Sequence, residues 1–275
     1  MPRIALGLEY DGSRYNGWQI QTHAPSVQAE IEKALSSVAA HPVNVTTAGR
    51  TDARVHASMQ IIHFDAAIDR GERAWVLGAN SILAADVSAL WARTVPEEFH
   101  ARYSALARSY RYVIVNRPTR PALDRERASW IRRPLNCESM HRAAQALVGE
   151  HDFTSLRAAE CQSKTAMRRL ESISVTRYEE FVTIVVTANA FLQHMVRNIA
   201  GLLIAIGVGD RPVEWSRQVL EARNRRIAGV TAPPQGLTLI GVRYPAEFGL
   251  PSEPEATAFR DRHLPAAVRS RIDTE

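Results

Sequence analysis

Asp52 lies between two guanidinium groups, Arg50 and Arg54, in the run Ala48-Gly49-Arg50-Thr51-Asp52-Ala53-Arg54-Val55-His56-Ala57. Cations nearby favour the charged form of a carboxylate, and an ionised aspartate can serve as a nucleophile or a general base. The glycine and alanines around it leave room for other groups to approach the backbone. The same composition suits a plain turn, because Gly and Asp are turn residues.

Three further segments carry residues of chemical interest. Arg108-Ser109-Tyr110-Arg111-Tyr112 interleaves cations with aromatic rings. On a strand, Tyr110 and Tyr112 share a face while Arg108 and Arg111 fall on opposite faces. Rings that stack on bases beside cations that meet phosphates are the physics of RNA recognition, and a half-buried strand also favours tyrosine. Phe191-Leu192-Gln193-His194-Met195-Val196-Arg197-Asn198 opens an otherwise apolar helix. A cation at that end opposes the helix dipole, so Arg197 is either a surface residue or the partner of a buried carboxylate or an anion. The stretch 225–239 holds Gly229, Pro233, Pro234 and Gly236, a rigid turn. Its Arg225 and Arg226 either touch phosphate or form a solvated helix end.

Other chemistries lack their signatures. The nine histidines form no HExxH pair, so no metal is expected. No GxGxxG follows a strand and no GxxxxGK[ST] occurs, so neither a dinucleotide nor ATP is expected as a cofactor. Cys137 and Cys161 stand far apart, outside any CxxC spacing, which argues against a disulfide framework and fits a reducing cytoplasm. Lys and Arg outnumber Asp and Glu by 34 to 29, a formal charge of +5, and Lys33 and Lys164 are the only lysines. Arginine suits bidentate phosphate contacts and stacking on bases, in keeping with a nucleic-acid partner. The N-terminus shows no charged-then-apolar signal segment. The most apolar helix candidate, 199–208, is broken by Gly201 and Gly207 and is too short to span a bilayer.

The elements that must position these residues read as follows. Ile4, Leu6, Leu8 and Tyr10 alternate as a strand, and Asp11-Gly12 ends it. Ser26 caps a helix whose apolar stripe is Val27, Ile31, Ala34, Leu35 and Val38. Strands are expected over 43–47, 59–65 and 87–95, with a helix over 72–83. In the second half, strands are expected over 109–116, 173–178, 181–187 and 237–244. Asn136 caps a helix closed by Gly149, and further helices are expected over 193–206 and 212–223. Strands and helices mix without strict alternation, which predicts an α+β fold with mainly antiparallel pairing. A chain of 275 residues and 45% apolar content makes one long domain or two ordinary ones. The division expected here is 1–107 and 108–247, two halves of similar order, followed by a loosely ordered extension over 248–275.

Together the GRTDxxVHA run, the RSYRY strand, the FLxHMVRN helix and the AGxTAPxxGLxL turn, in this order, resemble the tRNA pseudouridine synthase A family over residues 3 to 247. The resemblance implies the pseudouridine synthase fold, sheets flanked by helices, and a cytoplasmic homodimer that uses neither metal nor organic cofactor. It implies isomerisation of uridine at positions 38, 39 and 40 in the anticodon stem-loop of tRNA, each tRNA lying across both subunits. By the same resemblance Asp52 is the catalytic aspartate and Arg197 its partner. Arg50 helps move the target nucleotide out of the stack, Tyr110 packs on the target base, and Leu237 forms part of an apolar wall. One position departs from the pattern: the family's glycine after Asp-Ala is Arg54 here. If that position takes positive φ, an arginine strains the loop by roughly 1 kcal/mol or more.

Overall fold

The computed structural model describes residues 1–68 and 70–251. Ten strands and five α-helices alternate irregularly along these residues. The N-terminal part runs β1 (Arg3–Tyr10), α1 (Val27–Ala39), β2 (Thr46–Thr47), β3 (His56–Asp65), α2 (Glu72–Asn80) and β4 (Val87–Val95). The rest runs β5 (Ala107–Asn116), β6 (Ser129–Ile131), α3 (Cys137–Gln145), β7 (Gly149–Asp152), β8 (Met167–Tyr178), β9 (Phe181–Ala188), α4 (Met195–Gly207), α5 (Trp215–Ala222) and β10 (Leu237–Arg243). The fold is α+β, as the patterning predicts.

Capping side chains set the starts of α1 and α3. The Ser26 hydroxyl accepts from the Ala29 amide, and the Asn136 side chain accepts from that of Ser139. Val27, Ile31, Ala34 and Leu35 of α1 are buried. Helix α3 ends at Gln145, a turn before Gly149, so Val148 is exposed instead of continuing the apolar face. The strand expected over 43–47 shrinks to two residues for a physical reason. The Val43 amide donates to the Ser36 hydroxyl and the Val45 amide to the Glu32 carboxylate, so side chains of α1 take the donors a ladder would use.

All ten strands join one sheet in the order β4-β1-β3-β10-β5-β9-β8-β7, with β2 paired to β3 and β6 to β5. Pairing is antiparallel except at β10–β3 and β5–β6. Strand β10, the last among the described residues, therefore inserts between β3 and β5 and makes the two halves of the chain one continuous sheet. Helix α2 packs on β4 and α1; α3 packs on β8 and α4, and α4 reaches β5. Strand β3 is buried along both faces apart from Ser58 and Asp65, as befits a central strand. In the described part of the C-terminal extension, Phe248 lies edge-on to Phe99 with ring centroids 5.1 Å apart, and Leu250 packs on the core. The remainder of the expected extension, 252–275, lies outside the described residues.

Candidate active site

The site forms at the seam where β10 meets β3. The parallel bridge pairs Thr238 with His56 and Leu239 with Ala57, at the end of the signature run. On its other edge β10 pairs Leu239 with Tyr110 and Leu237 with Tyr112. The topology thus sets the signature run, the turn before β10 and the aromatic strand side by side.

Backbone and side-chain contacts hold the signature loop from three sides. The Gln60 amide donates to the Gly49 carbonyl at 2.7 Å, and Thr51 shares a 2.8 Å hydrogen bond with the buried Tyr10 hydroxyl. Burial pushes the Tyr10 phenol up to about 12, so this hydroxyl stays protonated. The loop after β1 adds two backbone bonds: Trp18 donates to the Thr51 carbonyl and Arg54 to that of Tyr15. The close approach requires Gly12, where a Cβ would stand 2.1 Å from the Val55 carbonyl oxygen. His56 ties the end of the loop down. Its Nδ1 accepts from the Gly12 amide, so its Nε2 donates, to the Glu126 carbonyl at 2.7 Å.

Asp52 is paired from a distance. Arg197 Nη1 donates to Asp52 Oδ2 at 3.2 Å across 145 residues of sequence, and His194 Nε2 stands 3.4 Å from the same oxygen. The adjacent arginines do not serve it. Arg54 turns to Glu126 at 2.6 Å, and Arg50 is exposed with neither a hydrogen bond nor an ion pair among the described residues. Arg197 is itself fixed by the turn before β10. Its Nε donates to the Ala232 carbonyl at 2.9 Å while its own carbonyl accepts from the Ala232 amide at 3.1 Å. That turn lies against α4 because residue 201 is glycine: a Cβ there would sit 1.8 Å from the Val230 carbonyl oxygen. The expected carboxylate partner for a cation at the start of α4 is therefore present, and it is Asp52.

Tyr110 is 8% exposed and meets Phe191 edge-on, with centroids 5.0 Å apart. Burial, and after it the phenol of Tyr10 and the charge of Asp52, push the Tyr110 phenol well above its usual range. Leu237, also buried, opens β10 beside Tyr112. Tyr112 is a core residue, its hydroxyl bonded to Ser129 and to the Pro233 carbonyl. Asp52, Arg197 and Tyr110 thus come together, Leu237 lies two residues along β10 from the partner of Tyr110, and Arg50 points outward.

Two arginines read as possible phosphate contacts are structural instead. Arg108 is buried and donates to the carbonyls of Ala48, Arg102, Ala105 and Asn189. Burial pulls its pKa down from the usual arginine value. Arg225 bonds to Gly229, Thr231 and Asn198, and so clamps the turn rather than ending a helix in solvent. His194 has no role assigned from sequence, although its i, i+3 spacing from Arg197 is a usable signal. What points its ring at Asp52 is a left-handed backbone, φ 61°, which local composition does not announce. A concavity of about 460 Å³ lined by His151, Asp152, Arg217 and Arg223 contains none of the signature residues. Among the described residues no cluster of His, Cys, Asp and Glu is arranged to hold a metal ion, and no helix is long and apolar enough to cross a membrane.

Comparison with known proteins bears on the same residues. A family model described as tRNA pseudouridine synthase matches 8–104 and 143–245. A tRNA pseudouridine synthase A of Coxiella burnetii (strain Dugway 5J108-111) is 56% identical over 254 residues, 92% of this chain and 97% of that one. That of Pseudomonas aeruginosa is 56% identical over 250 residues, 90% and 88% of the two chains. That of Cronobacter sakazakii is 51% identical over 257 residues, 94% and 95%.

Proposed function

The chain belongs to the tRNA pseudouridine synthase family, and on that premise we propose that it isomerises uridine to pseudouridine at positions 38, 39 and 40 of the anticodon stem-loop of tRNA, with Asp52 as the catalytic carboxylate. The observation that carries this reading is the 3.2 Å pair between Asp52 and Arg197, which joins two motifs 145 residues apart beside Tyr110.

The reaction detaches uracil from C1′ of the ribose at N1, turns it, and joins C5 to C1′. C5 loses a proton and N1 gains one, so no oxidant, reductant or external energy enters. The side chain of Asp52 is one quarter exposed, which leaves the carboxylate open to a ribose. It acts either by attack on the sugar or by removing a proton from it. Arg197 and His194 hold Oδ2 and orient the carboxylate, leaving Oδ1 to face the substrate. The target nucleotide must first leave the stack, at a cost of a few kcal/mol. Packing on Tyr110 offsets part of that cost, and Arg50, exposed and uncommitted, fills the vacated space. Leu237 closes the apolar side of the base pocket.

The enzyme works in the cytoplasm as a homodimer whose two subunits share each tRNA. The decisive experiment is incubation with an unmodified tRNA transcript followed by mapping of pseudouridine. Product at positions 38 to 40 is expected. Product elsewhere rejects the positions, and no product rejects the activity.

A further inference from the structure

The loop between β4 and β5 ends in an aromatic column that the uridine chemistry leaves unused. The buried Phe99 meets His63 edge-on at 5.9 Å. His63 lies 4.9 Å from His100, and His100 lies 4.3 Å from Tyr103 with the ring planes 33° apart. Tyr103, at the outer end, is 76% exposed although His100 covers one side of it. The Arg102 guanidinium stands 5.6 Å from the Tyr103 ring centroid, is exposed, and has no carboxylate partner among the described residues. Leu106, about half exposed, extends the same loop.

Such an exposed ring would ordinarily be mobile, yet this loop is held at nearly every residue. His100 Nδ1 accepts from the amides of both Arg102 and Tyr103, which keeps that imidazole nitrogen unprotonated. The Ala101 amide donates to His63 and its carbonyl accepts from the Tyr244 hydroxyl at 2.6 Å. The Ser104 hydroxyl accepts from the His100 amide. Arg108 Nη2 donates to the Arg102 carbonyl at 2.6 Å and to the Ala48 carbonyl at 2.9 Å. One buried guanidinium therefore fixes the loop backbone beside Tyr103 and the start of the Asp52 loop in the same frame.

A rigid, largely exposed ring with a cation over it that no carboxylate holds is suited to a nucleobase and its phosphate. Stacking loses little entropy when the ring is already immobile, and stacked bases need no particular sequence. We propose that the 100–106 loop is a second RNA contact, in which Tyr103 stacks on an unpaired base of the bound tRNA and Arg102 meets an adjoining phosphate. The inference rests on the reading that the chain acts on tRNA. It adds a site held in fixed relation to Asp52, so that this contact and the target uridine are gauged against each other.

The test uses the full chain and an unmodified tRNA transcript. Tyr103→Ala should weaken transcript binding by about 5- to 150-fold, the range for loss of one stacked base. The turnover rate at saturating transcript and the melting temperature should stay at parental values, because the ring is exposed and takes no part in the chemistry. Tyr103→Phe should restore binding, since stacking needs the ring and not the hydroxyl. Arg102→Gln should make the salt dependence of binding shallower by about one unit of slope. Parental binding by Tyr103→Ala, in an assay where the parent binds and modifies the transcript, overturns the contact alone. A parent that does neither overturns the functional reading and this contact with it. Tyr103→Ala that sediments as a smaller species with unchanged affinity per subunit assigns the ring to a protein interface and also overturns it.

Discussion

Arg54 and Glu126 stand 72 residues apart in sequence and 2.6 Å apart in space, and the backbone of Arg54 is left-handed, with φ 63°. The position is one that glycine fills without strain. Here an arginine accepts the strain and ties the signature loop to the long connection between β5 and β6. The His56 bond to the Glu126 carbonyl reaches the same residue, so the connection meets the loop at two points.

Arg54→Gly should therefore be close to neutral. Relief of the left-handed strain returns roughly 1 kcal/mol. Loss of a half-exposed ion pair and gain of unfolded-state freedom each remove up to about 1 kcal/mol. Urea unfolding should place the variant within about 1 kcal/mol of the parent, with turnover equal or higher. Because the guanidinium is committed to Glu126, the salt dependence of tRNA binding should not change. A slope shallower by one unit would show that Arg54 leaves Glu126 for a phosphate.

Asp52→Asn should lower turnover by several orders of magnitude, while tRNA affinity stays within a few-fold. The amide keeps the shape and removes the charge. Arg197→Gln should also lower turnover, and it should destabilise the chain as well, because Arg197 spans both Asp52 and the Ala232 carbonyl. Single-turnover rates read beside binding isotherms separate the two effects. A rate for Asp52→Asn within tenfold of the parent would remove the carboxylate from the chemistry.

Much of the fold is legible because its cues are local. Ser26 and Asn136 cap helices as their types predict, and the apolar stripe of α1 is the buried one. The shortness of β2 is hidden because it depends on where Ser36 and Glu32 point. The seam is hidden for a different reason: β10 pairs with β3 across about 180 residues, and hydrophobic alternation does not name a strand's neighbour. The site follows the same division. Asp52 stands out as a carboxylate among cations, and Arg197 as a cation at the wrong end of a helix. Which cation faces Asp52 is not readable, since Arg50 and Arg54 are adjacent in sequence but turn away. Arg108 looks like an RNA contact until its carbonyl partners show it buried.

Tyr110→Ala should reduce turnover more than it weakens tRNA binding, because one base loses its packing partner, worth roughly 1–3 kcal/mol, while phosphate contacts persist. Tyr110→Phe is the more informative change. Tyr110 sits in the core edge-on to Phe191, and its hydroxyl makes no hydrogen bond to another described residue. The fold should tolerate Phe with little change in melting temperature. Any fall in single-turnover rate for that variant then belongs to the hydroxyl at the reacting base. If both variants turn over at the parental rate, Tyr110 is a sheet residue only.

Gly201→Ala should impair the site from one helical turn along the Arg197 face of α4. The new methyl group would lie 1.8 Å from the Val230 carbonyl oxygen, a backbone atom that can move only with its turn. Moving the turn breaks the paired bonds between Arg197 and Ala232 and shifts the guanidinium away from Asp52. Helix propensity alone would make Ala better than Gly by nearly 1 kcal/mol, so a net loss of stability isolates the clash. Turnover should fall with it, and a variant as stable and active as the parent would mean that the turn does not set the position of Arg197.

Stability should fall as pH drops from about 6.5 towards 4, and His63 should account for much of the slope. Burial, with help from the charges of Arg3 and His100 and against that of Asp65, pulls the His63 pKa down to about 4. The ring is neutral in the folded chain, with Nδ1 accepting from the Ala101 amide. An unfolded histidine titrates near 6.5. Between the two values the unfolded chain binds the extra proton, so acid favours unfolding across that window, and the slope from His63 flattens below it. Asp11, Asp65 and Asp152 are pulled below the usual carboxylate value, so their contribution is lost only at lower pH. His63→Asn keeps an acceptor for the Ala101 amide and removes the titrating ring. The urea midpoint of this variant should change less than the parent's between about pH 6.5 and 4.5. His100, whose pKa burial also lowers, supplies part of the slope that remains. Equal losses for parent and variant across that interval would place the acid sensitivity elsewhere in the chain.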